Sequence, residues 1–168
     1  KWEVMPKDIQ WHMIGHVQTN KVKFMAEYVS LIHGVDSLKL LQEINKQGKK
    51  HDRVIDVLLQ IYIAEEESKF GLDENELNEL LQHKKKKKSS FANINIVGLM
   101  GMATFTENQN QIEKEFKHLK TVFDTINSKD AINRVSTLSM GMSGDYQLAI
   151  SCGSTMVRIG SSIFGTRN

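Results

Sequence analysis

The sequence predicts an α/β fold built on a parallel sheet. Apolar strand-like runs alternate strictly with amphipathic helical patterns, in the order β-α-β-α-β-α-β-α-β-α-β. The run Val54 to Ile63 is nearly continuous Val, Ile, Leu and Tyr, the composition of a strand covered on both faces. Capping signals at Ser37, at Asp73 with Glu76 and at Thr106 with Gln109 mark helix starts between the runs.

The first strand is Gln10 to Ile14. A helix over Lys21 to Val29 follows, with Val22, Met25, Ala26 and Val29 on one face. Leu31 to Val35 is the second strand. Ser37 then caps a helix whose apolar face is Leu38, Leu41 and Ile44, with Gly48 as its stop signal. Val54 to Ile63 is the third strand. Asp73 and Glu76 open the helix carrying Leu77, Leu80 and Leu81, and the lysines Lys84 to Lys88 lie at its end, where positive charge suits the helix dipole. Asn93 to Met100 is the fourth strand. The helix behind it spaces Ile112, Phe116, Leu119, Phe123 and Ile126 by three and four. Val135 to Met140 is the fifth strand, Asp145 to Cys152 a short helix ending at Gly153, and Met156 to Ile159 the sixth strand. Neither a repeat nor a linker divides the chain. An open doubly wound sheet and part of a β/α barrel both satisfy this pattern.

Length separates a partial barrel from a complete one. The chain has 168 residues, 40% hydrophobic and 25% charged, with a formal charge of +2. That is an ordinary globular composition. A closed eight-stranded barrel usually takes about 250 residues and seldom fewer than about 200, so a complete one is nearly excluded. No apolar run approaches the roughly 18 residues of a membrane span, and the residues after Lys1 do not lead into a signal-peptide core. The near-neutral balance gives no case for nucleic acid, and Lys84 to Lys88 is offset by Glu65 to Glu67 and by Asp73 to Glu79. Cys152 is the single cysteine, so there is no internal disulfide and no two-cysteine metal motif. A reducing, cytoplasmic setting fits.

Parallel α/β folds bind ligands at the carboxyl ends of their strands. Two of the loops there are the most informative. Gly141 and Gly144 bracket Ser143 before a helix start, and Gly160-Ser161-Ser162 follows the strand that carries Arg158. Glycines admit close backbone approach, hydroxyls donate hydrogen bonds, and arginine is a permanent planar cation suited to phosphate. In the alternative reading Ser143 only caps a helix, the glycines only turn the chain, and Arg158 pairs with an acid. His12 and His16 on a strand lie about 13 Å apart, at roughly 3.3 Å per residue. They cannot share one zinc, so hydrogen-bonding roles are expected. Gly98 to Gly101 matches a GXXG loop by chance. Met100, Met102, Met140 and Met142 read as core or pocket lining, the glutamates Glu65 to Glu67 as an exposed turn, and Cys152 as packing. Gly141 to Asp145 is not a nucleophile elbow, and neither a Walker A lysine nor a GxGxxG fingerprint is present.

Six strings carry a family resemblance. They are WHMIGHVQTNKVK (Trp11 to Lys23), VDSLKLLQEINKQ (Val35 to Gln47), IAEEESKFGL (Ile63 to Leu72), GLMGMATFT (Gly98 to Thr106), LSMGMSGDYQLAI (Leu138 to Ile150) and GSTMVRIGSSIFG (Gly153 to Gly165). In this order, over essentially the whole chain, they resemble the pyridoxal phosphate homeostasis proteins of the YggS/PROSC type. The resemblance implies a barrel like the alanine racemase N-terminal domain. It also implies pyridoxal 5′-phosphate (PLP) held as a Schiff base on a lysine, with a role in intracellular vitamin B6 homeostasis and no established catalysis. Matching motifs place Ser143, Arg158, Gly160 and Ser161 on the phosphate side, with Asn20 and Met140 as pocket neighbours.

The family pattern has two further β/α units before the segment resembling Trp11 to His16, and its Schiff-base lysine lies in them. Residues 1–168 are therefore expected to be a single PLP-binding barrel domain lacking those units, a partial TIM-type (β/α)8 barrel with six parallel strands corresponding to strands three to eight. No lysine here matches the Schiff-base motif. The expected partners are PLP and PLP-dependent enzymes, with no nucleic acid and no membrane, and the full-length family form is expected to be monomeric. Six strands alone leave two sheet edges open, so instability or dependence on a partner is expected. The competing readings are a PLP-dependent fold-type III enzyme such as an amino-acid racemase, and a truncated remnant or interaction protein using Lys84 to Lys88.

Overall fold

Sequential neighbours pair throughout the sheet. The computed structural model describes residues 2–66, 69–86, 88–129 and 134–165. Among them the strands are Trp11–Met13 (β1), Val29–Val35 (β2), Ile55–Gln60 (β3), Ile94–Met100 (β4), Thr137–Met142 (β5) and Met156–Arg158 (β6). They form one sheet in the order β1-β2-β3-β4-β5-β6, and every pairing is parallel. A doubly wound sheet reverses its strand order at a switch point; this sheet has no reversal. The order selects the partial β/α barrel over the open sheet.

The crossovers carry the helices Leu38–Lys50 (α1), Glu74–Lys86 (α2), Gln109–Lys129 (α3) and Tyr146–Ser151 (α4), and Ser161–Phe164 (α5) follows β6. Ser37 caps α1 as expected, its Oγ accepting from the Leu40 amide at 3.3 Å. The capping box at α2 also forms: the Glu76 amide donates to Asp73 Oδ1 at 2.8 Å and the Asp73 amide to Glu76 Oε2 at 3.0 Å.

Several local expectations are corrected. The helix expected over Lys21 to Val29 is a 3₁₀ turn at Thr19–Phe24, and Val29 is drawn into β2, where it pairs with Trp11. Gly48 does not stop α1. A Cβ there would lie 2.8 Å from the Asn93 carbonyl oxygen, so the glycine lets the helix seat against the β4 entry. The helix ends instead at His51, and Asp52 reverses the chain at φ 52°. At α3 the cap is Asn108, whose Oδ1 accepts from the Gln111 amide at 3.3 Å. Thr106 acts one turn earlier, accepting from the Asn108 amide. β5 runs two residues further than expected, through Gly141 and Met142.

Two apolar layers flank the sheet. Between sheet and helices lies the main core, including Ile32, Leu41, Val57, Leu59, Leu99, Phe116, Leu119, Leu138 and Met140. A smaller inner cluster holds Leu31, Leu58 and Met100, with Met102 and Met156 against it. This division follows from strand alternation, since adjacent side chains point to opposite faces. Lys84, Lys85 and Lys86 form the last turn of α2; Lys87 lies outside the described residues. Among the described residues no helix is long and apolar enough to cross a membrane.

Candidate functional site

The carboxyl ends of β5 and β6 meet at Ser143. Its Oγ accepts from the Gly160 amide at 3.2 Å and from the Ser162 amide at 3.3 Å. Ser143 thus spans two loops, and its hydroxyl is not the cap of α4. The loop itself is closed by Asp145, whose Oδ1 accepts from the Met142 amide at 2.6 Å while its own amide donates to the Met142 carbonyl. Gly141 enters the loop at φ 94°, in the region glycine tolerates best. Space is open beside Gly144 and Gly160: a Cβ built on either meets no atom within 4 Å. The structure therefore brings Ser143, Gly160 and Ser161 together at one exposed corner.

Arg158 lies deeper, at 7% exposure. Nη1 donates to the Ser139 carbonyl at 2.9 Å and to Ser139 Oγ at 2.8 Å, and Nη2 donates to the Gly101 carbonyl at 2.9 Å. Among the described residues no acid forms an ion pair with it. Burial pulls the guanidinium down to about 10, against an opposing pull from Asp145, and it stays charged at neutral pH. Its Nε is buried without a partner.

Asn20 and Met140 are not part of this corner. Asn20 is exposed on the 3₁₀ turn, in a groove of about 380 Å³ shared with Thr19 and the α1 residues Lys39, Gln42, Glu43 and Lys46. Met140 corrects the pocket-neighbour expectation, because it faces the helices and is fully buried in the main core. Its neighbour Ser139 faces the other way.

The two histidines diverge as their spacing predicts. His12 Nδ1 lies 3.1 Å from His33 Nε2, whereas His16 Nδ1 lies 3.3 Å from Asp36 Oδ2 and its ring contacts Phe70. Sequence reasoning missed His33 and Ser139. His33 is 1% exposed, Ser139 is 0% exposed, and His33 Nδ1 sits 3.3 Å from Ser139 Oγ. Burial, then His12, then Arg158 push the His33 imidazole down to about 4. The available signal was a polar residue, His33 or Ser139, in the middle of each of two mostly apolar strands.

A second missed feature braces the neighbouring loops. Glu115 of α3, buried, accepts from the Thr104 amide at 2.7 Å, Thr104 Oγ1 at 2.7 Å and the Glu65 amide at 3.2 Å. Glu65 forms an exposed pair with Lys114, in keeping with an acidic turn, and Glu66 pairs with Lys69. Glu67 and Ser68 lie outside the described residues. Cys152 packs in the main core.

These parts define a class: a partial β/α barrel with an anion-compatible corner over its last two strands. A family model described as the alanine racemase N-terminal domain matches residues 5–168. The chain is 37% identical over 160 residues to the pyridoxal phosphate homeostasis protein of Aquifex aeolicus, covering 95% of this chain and 68% of that one. Against the protein of that name from Haemophilus influenzae it is 35% identical, covering 96% and 66%. The chain belongs to the pyridoxal phosphate homeostasis protein family, and it spans about two thirds of the length of these relatives. The structure of PipY from Synechococcus elongatus with PLP bound superposes with a TM-score of 0.82 at 27% identity, covering 98% of this chain and 74% of that one. An alanine racemase of Clostridium difficile shares the fold, with a TM-score of 0.72 at 16% identity over 95% of this chain and 41% of that one.

Proposed function

We propose that this chain is a PLP-binding protein of vitamin B6 homeostasis that holds the cofactor through its phosphate and does no catalysis of its own. The observation that carries the reading is the Ser143 corner. One hydroxyl already gathers the Gly160 and Ser162 amides, so two N–H donors and a hydroxyl converge beside open space. This donor set suits a dianionic phosphate. Arg158 supports the fit from below, since its buried Nε keeps one N–H for an acceptor atom of the bound group. Ser143, Gly160 and Ser161 would hold the phosphate, with the Arg158 cation beneath them, while Met140 is left to the core. Asn20 remains a proposed neighbour through the loop that follows β1.

When bound, PLP supplies an aldehyde reactive toward primary amines. Among the described residues, the polar side chains of the inner face, His12, His33, Gln60, Ser139 and Arg158, include no lysine, which supports noncovalent retention. Residues 1–168 act in this reading as one domain equivalent to six of the eight β/α units of a barrel.

Titrating the chain with PLP and with pyridoxal, which lacks the phosphate, tests the reading. PLP should bind at least about tenfold more tightly, as expected when charge-assisted hydrogen bonds are lost. Ser143→Ala should erase most of that difference. Equal affinities for the two compounds would overturn the phosphate assignment. A stoichiometric adduct on one lysine after borohydride reduction and intact-mass measurement would overturn noncovalent retention.

A further inference from the structure

Four polar side chains from four strands touch end to end inside the sheet. Arg158 Nη1 reaches Ser139 Oγ at 2.8 Å, Ser139 Oγ lies 3.3 Å from His33 Nδ1, and His33 Nε2 lies 3.1 Å from His12 Nδ1. Proton counting gives this chain a direction. A guanidinium only donates, so Ser139 Oγ accepts from Arg158. The Ser139 hydroxyl carries a single hydrogen, and His33 Nδ1 is the acceptor in reach. Nδ1 must then be unprotonated, which puts the ring proton of His33 on Nε2, where it donates to His12 Nδ1. The reverse arrangement has His33 Nδ1–H donating to Ser139. It would strand the hydroxyl hydrogen of a residue with 0% exposure, and an unpaired buried donor is costly.

We propose that His33 is a positioning residue: as its Nε2–H tautomer, and through Ser139, it fixes the Arg158 guanidinium so that Nε–H is presented to the bound ligand. The ligand part of this proposal rests on the PLP reading above; the orientation of Arg158 does not. Two further contacts and one open donor agree with a fixed guanidinium. Ser139 and Gly101 lend backbone carbonyls to Nη1 and Nη2, and Nε is the nitrogen of that side chain left buried and unpaired. The neutral ring that the chain requires is the form burial favours for His33. Ser139 thus passes a constraint from β2 to β6 without His33 touching the ligand.

Nitrogen-15 spectroscopy of the 168-residue chain tests this without PLP. Long-range ¹H–¹⁵N correlation at pH 7.5 should show a bare Nδ1 and a protonated Nε2 on both His33 and His12. Ser139→Ala should shift the Arg158 Nε–H resonance while the backbone amide spectrum stays dispersed, and Ser139→Thr should restore it. His33→Phe should shift it as well. In a parallel PLP titration, Ser139→Ala and His33→Phe should weaken binding about tenfold and Ser139→Thr much less, in keeping with the loss of one charge-assisted bond. A His33 protonated on Nδ1, or an Arg158 resonance indifferent to Ser139→Ala, overturns the proposal. Wild-type chain with the stated tautomers, the stated resonance shifts and no PLP binding upholds the positioning of Arg158. That result overturns its ligand role together with the PLP reading.

Discussion

His33 Nδ1 lies 3.3 Å from Ser139 Oγ, although two strands stand between theirs. In a flat sheet their backbones would be three spacings of about 4.8 Å apart, roughly 14 Å. The two short side chains meet because the sheet curls and brings β2 toward β5 across its inner face. The bond measures the curvature that makes this sheet part of a barrel.

The buried imidazole makes stability depend on pH. His33 sits at about 4 in the fold against 6.5 for the free side chain. Between those values the unfolded chain binds more protons, so stability falls as pH drops. The full shift corresponds to about 3 kcal/mol, lost between roughly pH 6.5 and 4. Urea unfolding across that range should show the decline, and His33→Phe should flatten it. Burial also lowers His12, which adds in the same direction. A wild-type curve level from pH 6.5 to 4.5 would contradict the assignment.

Glu115 ties the loops after β3 and β4 to α3. Glu115→Ala leaves the Thr104 amide without its acceptor and the Glu65 amide with Thr104 Oγ1 alone, and should cost about 3 kcal/mol. Glu115→Gln keeps one acceptor oxygen and should cost less. Hydrogen exchange at Glu65, Thr104 and Phe105 should accelerate in both variants while α1 stays protected. Unchanged exchange there would remove the bracing role.

Gly141→Ala meets two obstacles at once. The residue sits at φ 94°, and a Cβ would lie 2.5 Å from Ala149 Cβ. The strained backbone alone costs of order 1–3 kcal/mol. Because Gly141 leads into Ser143, the variant should lower both the thermal midpoint and affinity for PLP over pyridoxal. Gly144→Ala, which enters open space, should leave the thermal midpoint within about 2 °C, the effect of a surface change of at most 0.5 kcal/mol.

At the start of α2, Asp73→Ala removes the acceptor of the Glu76 amide. The expected loss is about 1 kcal/mol by denaturant titration. Asp73→Asn should recover most of it, since an amide oxygen also caps. Equal losses for Ala and Asn would show that charge, not capping, is at work.

The sequence is legible where the physics is local. Val54 to Ile63 and Leu31 to Val35 read as strands because both faces are covered, and Ser37, Asp73 and Glu76 read as caps because capping needs neighbouring atoms alone. Ser143, Gly160 and Ser161 were visible as small residues following strands. Ser139 and His33 were not, since their contact depends on how far the sheet curls, which no local pattern encodes. Met140 illustrates the same limit. Alternation puts Ser139 and Met140 on opposite faces, but with both faces buried it does not say which one looks inward. The end of α1 is not legible locally, because Gly48 serves a tertiary contact with Asn93 and the reversal falls on Asp52.

Each strand pairs with its immediate predecessor and successor, so the sheet is wired like a ribbon read in order. No strand is inserted between two earlier ones. A backbone cut within any crossover would thus divide the protein into two contiguous blocks sharing one strand–strand seam. Separately expressed halves, cut for example between α2 and β4, need to rebuild one strand pairing, β3–β4, together with the Glu65–Glu115 loop contact and the inner-face His33–Ser139 contact. The same wiring lets assembly proceed from any starting pair outward, one unit at a time, with the His33–Ser139 contact closing only after β3 and β4 are in place.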